Sequence, residues 1–206
     1  MQTSPLLQTV EHQSAIIPPE SEMSSKTSLT GVAGEHYVLS ELLRQGYIAA
    51  LAPTGVPNAD IVVTNMEGSR LCSIQVKTRR GVGADGGWHM KAKQEKGPLG
   101  ERYFYCFVDF QEPKKVRPLV YVMPAAVVAK AIAWDHQKWL NTPGLKGQPH
   151  KDNPVRRLLP DYSKTNYSKT SNSENPYPAG WMEAYRDAWD ILNLEKTDPE
   201  KPLPTD

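Results

Sequence analysis

The chain has 206 residues, enough for one domain with appendages and too few for two well-packed domains. Apolar residues make up 39% and charged residues 23% of the chain, which is typical of a globular protein. Lys and Arg (24) nearly balance Asp and Glu (23), so a formal net charge of +1 excludes long-range attraction of the whole molecule to nucleic acid or anionic membranes.

The N-terminal part is predicted as a leader followed by a helix. Residues 1–27 mix Pro, Ser, Gln and Glu without a sustained period, which is typical of a disordered leader. From Ser28 the apolar residues recur at helical spacing. Thr30 can cap this helix and Gly46 can end it in a left-handed turn.

Three short strands are predicted next. They cover residues 47–53, 59–64 and 70–78 and are separated by turns rich in Pro, Gly and Asn. The following residues, 79–102, are glycine-rich and charged, which indicates a flexible loop with one short element inside it. Long loops of this kind often line functional sites.

The core is predicted to finish with two strands and a helix. Residues 103–110 and 118–123 have the aromatic and β-branched content of buried strands. Residues 124–140 begin with proline and continue as a helix. We therefore expect one core domain over residues 28–140.

The C-terminal part is predicted to be a surface segment, a helix and a tail. Residues 141–178 contain YSKTNYSKTS among Pro, Asn and Gly, and have too few aliphatic residues to bury a core, so we expect a long loop over the surface. Residues 179–193 return to helical spacing with one aromatic face, which should dock on the core. Residues 194–206 are predicted to be a disordered tail.

The cysteines and the hydropathy pattern indicate where in the cell the protein is located. Cys72 and Cys106 both lie in apolar, strand-like runs, with no Cys or His at metal-ligand spacing, which argues against a disulfide framework or a zinc site. The apolar run PLLQTV is too short for a signal peptide, and no window reaches the length of a membrane span. The sequence therefore predicts a cytoplasmic protein with no membrane partner.

Polar side chains on two neighbouring strands indicate a candidate catalytic site. Side chains alternate between the faces of a strand, so Gln75 and Lys77 share a face of the third strand. In an antiparallel hairpin, Asp60 at the start of the second strand falls close to them. Taken singly, each of these residues is as easily a solvated strand residue or a turn cap. Their convergence is what would make a site.

Hydrolysis of a phosphodiester bond needs a hard cation held by oxygen ligands, an aligned water and a positive group that stabilises developing negative charge. An Asp carboxylate, a Gln amide oxygen and a Lys ammonium can supply these functions. Because Gln brings no charge, a second acid is required. Glu35, in the first turns of the predicted helix, is the candidate, although it also complements the helix dipole.

The order of GEHYVLSELL, PNAD and IQVK resembles the PD-(D/E)xK nuclease superfamily, in the Q-x-K variant of its last motif, over roughly residues 28–110. The resemblance implies a restriction endonuclease-like α/β fold, in which helices flank a mixed β-sheet in the order α-β-β-β-(α)-β, here with a C-terminal helical extension. It further implies a metal-binding aspartate, a residue in the usual Asp/Glu position, a catalytic lysine and a helix acid: Asp60, Gln75, Lys77 and Glu35. The carbonyl of Val76 is a further metal ligand in this hypothesis.

Basic residues outnumber acidic ones between Lys77 and Arg102, which is typical of a rim that contacts phosphates and also of a solvated loop. The residues that we predict to contact nucleic acid in this part of the chain are Arg79, Arg80, Trp88, Lys91 and Lys93.

The leading hypothesis is a DNA endonuclease that depends on Mg²⁺ or Mn²⁺. The alternative is a catalytically inactive module of the same fold that binds nucleic acid or a protein partner. A third hypothesis is an interaction protein built around residues 141–192. A homodimer is left open.

Overall fold

The structure, a computed structural model, describes the backbone of residues 20–81, 86–97, 100–111, 116–166 and 175–195, and side chains from residue 28 onward. The α-helices and strands are, in chain order, α1 (Glu20–Arg44), β1 (Ile48–Leu51), β2 (Ile61–Thr64), β3 (Leu71–Arg79), β4 (Trp88–Lys91), β5 (Tyr103–Asp109), β6 (Leu119–Pro124), α2 (Ala125–Asn141) and β7 (Val155–Leu158). A 3-10 helix, Ala92–Lys96, follows β4 directly. Two more 3-10 helices, Glu183–Tyr185 and Trp189–Leu192, lie near the C-terminal end of the described residues.

Five strands form one mixed sheet in the order β1-β2-β3-β5-β6. All neighbours are antiparallel except β3 and β5, which are parallel. A parallel pair requires a crossover connection, and here β4 and the 3-10 helix after it lie within that crossover. β4 pairs with β7 in a separate two-stranded antiparallel sheet. The α/β class with a mixed sheet flanked by helices, which the sequence resemblance implied, is confirmed.

The five-stranded sheet has an apolar core on each face. One cluster joins α1 to inward-facing strand residues such as Ile74 and Cys106, and also contains Trp189. The other joins α2 to Tyr105 and Phe107 on the opposite face, together with Trp88. Every residue of β5 is buried, as expected for a central strand that is covered on both faces.

Two stretches differ from the sequence prediction, and the second does so because of a pairing made at long range. Helix α1 begins at Glu20, so residues 20–27 have helical backbone and are not part of a disordered leader. Residues 141–178, predicted to be a loop without regular structure, contain β7. That strand is too short to be recognised by its own pattern, and it exists because it pairs with β4, from Trp88↔Leu158 to Lys91↔Val155.

The helix predicted over residues 179–193 is wrong: the structure has two short 3-10 helices there. The break falls at Arg186 and Asp187. Arg186 has extended backbone and forms a β-bridge with Tyr121, while Asp187 has a positive φ of 48° and donates its backbone N–H to Val120 O. Pairing with the edge of β6 therefore replaces the helical turn that a continuous helix would have at this point.

Residues 1–19 of the predicted leader and residues 196–206 of the predicted tail lie outside the described residues. In the part of the chain that the structure does describe, none of the helices combines the length and the apolar character needed to cross a membrane.

Candidate active site

The Asp60 carboxylate lies just before the start of β2, at the point where the paired strand β3 continues beyond it. The β2–β3 ladder ends at the pair Ile61↔Ile74, and the Asp60 backbone N–H donates to Ile74 O at 2.9 Å. Beyond that pair, Asp60 Oδ2 accepts the Val76 backbone N–H at 2.7 Å and Gln75 Nε2 at 2.6 Å. The carboxylate thus replaces a backbone acceptor of the missing ladder, and this fixes it against β3.

The Gln75 side chain links Asp60 to a row of buried hydroxyls. Its Oε1 accepts a long hydrogen bond from the Tyr103 hydroxyl at 3.4 Å. The Tyr103 hydroxyl is also hydrogen-bonded with that of Tyr105, which accepts from Gln94 Nε2 at 3.0 Å. Burial, followed by the neighbouring Tyr105, raises the pKa of Tyr103. The amide therefore turns its nitrogen, not its oxygen, toward Asp60.

Lys77 lies on the same face of β3 as Gln75, as the alternation predicted. Burial lowers the pKa of the Lys77 ammonium, while the negative charge of Asp60 opposes that shift. The nearby positive charges of Lys91 and Lys93 lower the pKa further, and Glu35 raises it. Lys77 is therefore a partly desolvated cation, and the negative charge that acts on it most strongly is that of the candidate ligand Asp60.

Glu35 is brought toward the site by an unusually close approach of α1 to β3. At Gly34 a Cβ atom would overlap the side chain of Thr78, so only glycine lets the helix lie this close. Burial, and then the negative charge of Asp60, raise the pKa of Glu35, whereas His36 and Lys77 lower it. The two carboxylates therefore repel each other.

A groove runs past Lys77, with a volume of about 700 Å³. Its walls come from the end of β3, the loop before β2, the β4 strand with its following 3-10 helix, and the segment that leads into β7. We call this the basic groove, and its lining residues are Asn58, Gln75, Lys77, His89, Met90, Lys91, Ala92, Lys93, Gln94, Pro154 and Val155.

Two residues predicted to contact nucleic acid are instead structural. Trp88 is 2% exposed, donates its indole N–H to Val108 O at 3.2 Å and packs on Phe107, so it has no surface on which a base could stack. Arg79 pairs with Asp109 at 2.6 Å and places its guanidinium 3.9 Å from the centre of the Trp88 ring. The neighbouring strands bury Trp88 and hold the partly buried Arg79 by an ion pair, and their position in a glycine-rich stretch of sequence indicated neither.

The other three predicted contact residues keep accessible side chains. Arg80 is exposed and its guanidinium lies 5.7 Å from the centre of the Phe110 ring. Lys91 and Lys93 are exposed and line the basic groove. Their roles remain predictions, as do those of the four site residues.

Several groove residues had no signal in the sequence. Asn58 accepts a hydrogen bond from Lys93 Nζ at 3.2 Å, and Pro154 and Val155 enter the groove only because β7 pairs with β4. Tyr103, which does not line the groove, contacts Gln75 because of the parallel register Ser73↔Tyr103, two pairs away from Gln75↔Tyr105 on the same face. A sequence pattern does not give the register of a parallel pair.

Comparison with known proteins gives likenesses of fold at low identity. No family model matches this chain, and no curated protein matches it.

Two solved nucleases resemble it. A bacterial homing endonuclease, I-Ssp6803I, is 18% identical with a TM-score of 0.42, covering 82% of this chain and 93% of its own. The Holliday junction resolvase Hjc of Archaeoglobus fulgidus is 17% identical with a TM-score of 0.36, covering 63% of this chain and 83% of its own. Because the identities and TM-scores are low, the function is argued from the side chains of the site.

Proposed function

We propose that this protein is a nuclease that hydrolyses DNA phosphodiester bonds with the help of a divalent cation. The observation that carries the proposal is the gathering of Asp60, Gln75 and Lys77 beside the basic groove. Gln75 and Lys77 line the groove, Asp60 Oδ2 lies 2.6 Å from Gln75 Nε2, and the charge of Asp60 acts on Lys77. A carboxylate and an amide oxygen can hold the cation, and an ammonium can stabilise the developing negative charge, as this hydrolysis requires.

The donor set fits Mg²⁺ or Mn²⁺. Asp60 and Glu35 are two carboxylates that repel each other, since the charge of Asp60 raises the pKa of Glu35, and a divalent cation between them would relieve that repulsion. Gln75 would join them through Oε1 after its amide turns over, and the Val76 carbonyl is a further candidate. The cation, when bound, supplies Lewis acidity and lowers the pKa of a coordinated water.

Lys77 is suited to stabilise the negative charge that develops on the attacking oxygen and on the phosphoryl group. A partly desolvated ammonium interacts more strongly with such charge than one in bulk water, because the effective dielectric constant is lower. The same burial lowers the pKa of Lys77, while Asp60 favours the charged form that this role needs. Asp60 is itself held against β3 by the Val76 N–H, so the geometry is set before substrate arrives.

The proposal is tested with the purified full chain on linear, branched and supercoiled DNA in the presence of Mg²⁺ or Mn²⁺. We expect cleavage, and we expect Asp60→Asn and Lys77→Ala each to lower its rate at least about 100-fold, the cost of removing one group that stabilises the transition state. Asp190→Asn and Lys130→Ala change exposed residues outside the groove and should leave the rate unchanged. Equal rates in all four variants would rule out this site.

A second function, binding of nucleic acid or of a protein partner without catalysis, is favoured by two observations. Asp60 Oδ2 accepts hydrogen bonds from two N–H groups, which compete with a metal ion for that oxygen. Among the described residues, no three His, Cys, Asp or Glu side chains are grouped so as to hold a metal ion. Calorimetry with Mg²⁺ separates the two functions, because a binding module should give no heat that the Asp60→Asn substitution removes.

A further inference from the structure

The basic groove is lined by cations that carry no compensating charge within its walls. Lys77, Lys91 and Lys93 all line it, and among the described residues neither Asp nor Glu does. The balance of the whole chain is close to neutral, so this concentration of one sign is local. Like charges that converge on one concave, partly apolar surface repel one another and favour an anionic ligand.

The acidic residue closest in sequence to these lysines forms an ion pair with another residue. Glu95 belongs to the 3-10 helix that carries Lys93, but it pairs with the buried Arg156 of β7 through both of its oxygens. Arg156 Nη1 also donates to Val155 O at 2.9 Å. Since Glu95 is neutralised by Arg156, it does not offset the two lysines. Consistent with this, Lys91 and Lys93 both lower the pKa of Lys77.

The backbone of the segment that carries these lysines is held in place by neighbouring strands. Lys91 is opposite Val155 in the β4–β7 ladder, and its backbone N–H donates to Gln94 Oε1 at 2.7 Å. Gln94 in turn donates to the buried Tyr105 hydroxyl at 3.0 Å. The backbone that carries Lys91 and Lys93 is therefore fixed by β7 and β5, while their side chains are exposed.

Lys93 also joins the two sides of the groove. Its ammonium donates to Asn58 Oδ1 at 3.2 Å, and Asn58 lies in the loop before β2, two residues from Asp60. This is a hydrogen bond to a neutral acceptor at an exposed position, and an anionic phosphate oxygen would be a stronger acceptor for the same ammonium.

We propose that the β4 strand and the 3-10 helix after it, backed by β7, form a phosphate-binding wall in which Lys91 and Lys93 hold backbone phosphates of the nucleic acid beside Lys77. Lys93 exchanges Asn58 for a phosphate when the ligand enters. This inference deepens the proposed nuclease function and rests on it for the identity of the substrate. The chemistry recognised is the phosphodiester backbone, which duplex and single-stranded DNA share.

The test measures binding of the full chain to fluorescent duplex and single-stranded oligonucleotides of one sequence, without metal, between about 50 and 200 mM salt. Each phosphate contact contributes to the slope of log K against log salt, about 0.9 for duplex and about 0.7 for single strands. We expect Lys91→Gln and Lys93→Gln each to reduce the slope by about that amount on the preferred ligand, which also identifies the ligand. Lys91→Arg and Lys93→Arg should retain the slope, and the control Lys130→Gln should not change it.

Exchange at Asn58 is tested by Asn58→Gly, which suits the positive φ of 67° at this position. Loss of the competing acceptor should tighten binding roughly two- to tenfold at constant slope, the range expected for one hydrogen bond. Unchanged or weaker binding would overturn the exchange.

Failure of this inference and failure of the proposed function have different signatures. Unchanged slopes in both Gln variants would overturn the phosphate-binding wall even if the protein cleaves DNA. Reduced slopes in a protein that cleaves no DNA would support the wall and overturn the nuclease. A wild-type chain that binds neither oligonucleotide would overturn both.

Discussion

The two sheets of this protein are built from different kinds of sequence information. The β2–β3 hairpin joins strands six residues apart in the chain, and its register places Asp60 beside Gln75. The β4–β7 sheet joins strands separated by more than sixty residues, and nothing within β7 itself marks it as a strand. One wall of the groove is thus locally encoded and the other depends on the complete fold.

Among the substitutions that test this comparison, Trp88→Ala is expected to have the largest effect on stability. Trp88→Ala should lower the free energy of unfolding by about 3–5 kcal/mol, because it removes a buried indole and leaves a cavity. His89→Ala, at the exposed next position of β4, is the control and should cost much less. Urea denaturation measures both. If Trp88→Ala weakened nucleic-acid binding without loss of stability, the original prediction that it stacks on a base would be right after all.

Arg156 tests whether β7 is held by its buried ion pair. Arg156→Ala leaves Glu95 without its partner and should cost about 3–5 kcal/mol in urea denaturation. The double variant Arg156→Met, Glu95→Met removes both charges and should cost less than the single one. Arg186→Ala, which breaks an exposed pair with Glu183, should cost at most about 1 kcal/mol. A double variant no more stable than Arg156→Ala would contradict this.

Gly34 tests the close approach on the other side of the molecule. A Cβ at Gly34 would lie 2.9 Å from Thr78 Cβ, so Gly34→Ala should cost about 1–3 kcal/mol and displace Glu35. Thr78→Ala in the same protein should recover part of that loss, since it also removes a buried hydroxyl for which the described residues offer no partner. Gly31→Ala, in the same helix but facing open space, is the matched control and should not destabilise.

The last test concerns pH and one core thiol. Burial raises the pKa of Cys72 from 9.0 to about 11. Because the native state holds this proton more tightly than the unfolded state, the contribution to stability is complete below pH 9 and is lost as pH rises toward 11. The loss should be about 1.4 kcal/mol per pH unit within that window. Cys72→Ala should show a shallower decline over the same range, and parallel curves would contradict the shift.

The sequence predicted those elements whose pattern is contained in a short stretch of the chain. Helix α1, the strand triplet and the aromatic strand β5 all follow from periodicity and composition, and alternation along β3 placed Gln75 and Lys77 on one face. The predictions went wrong where a partner decided the outcome. Trp88 is buried because β5 and β6 pack against it, and Arg79 is held by its ion pair with Asp109 of β5. The helix expected over residues 179–193 is interrupted because Arg186 pairs with Tyr121.

By itself, the sequence implied the α/β class through its resemblance to a known family. It also predicted that Gln75 and Lys77 share a face of β3 with Asp60 close by, because a short hairpin and the two-residue repeat of a strand leave little freedom in where side chains point. Only the tertiary structure decided that β7 is a strand, that Lys91 and Lys93 face Lys77 across one groove, and that Asn58 meets Lys93. These features depend on contacts between segments far apart in the chain, and such contacts form only when the whole core has formed and offset the entropy of closing the long loops.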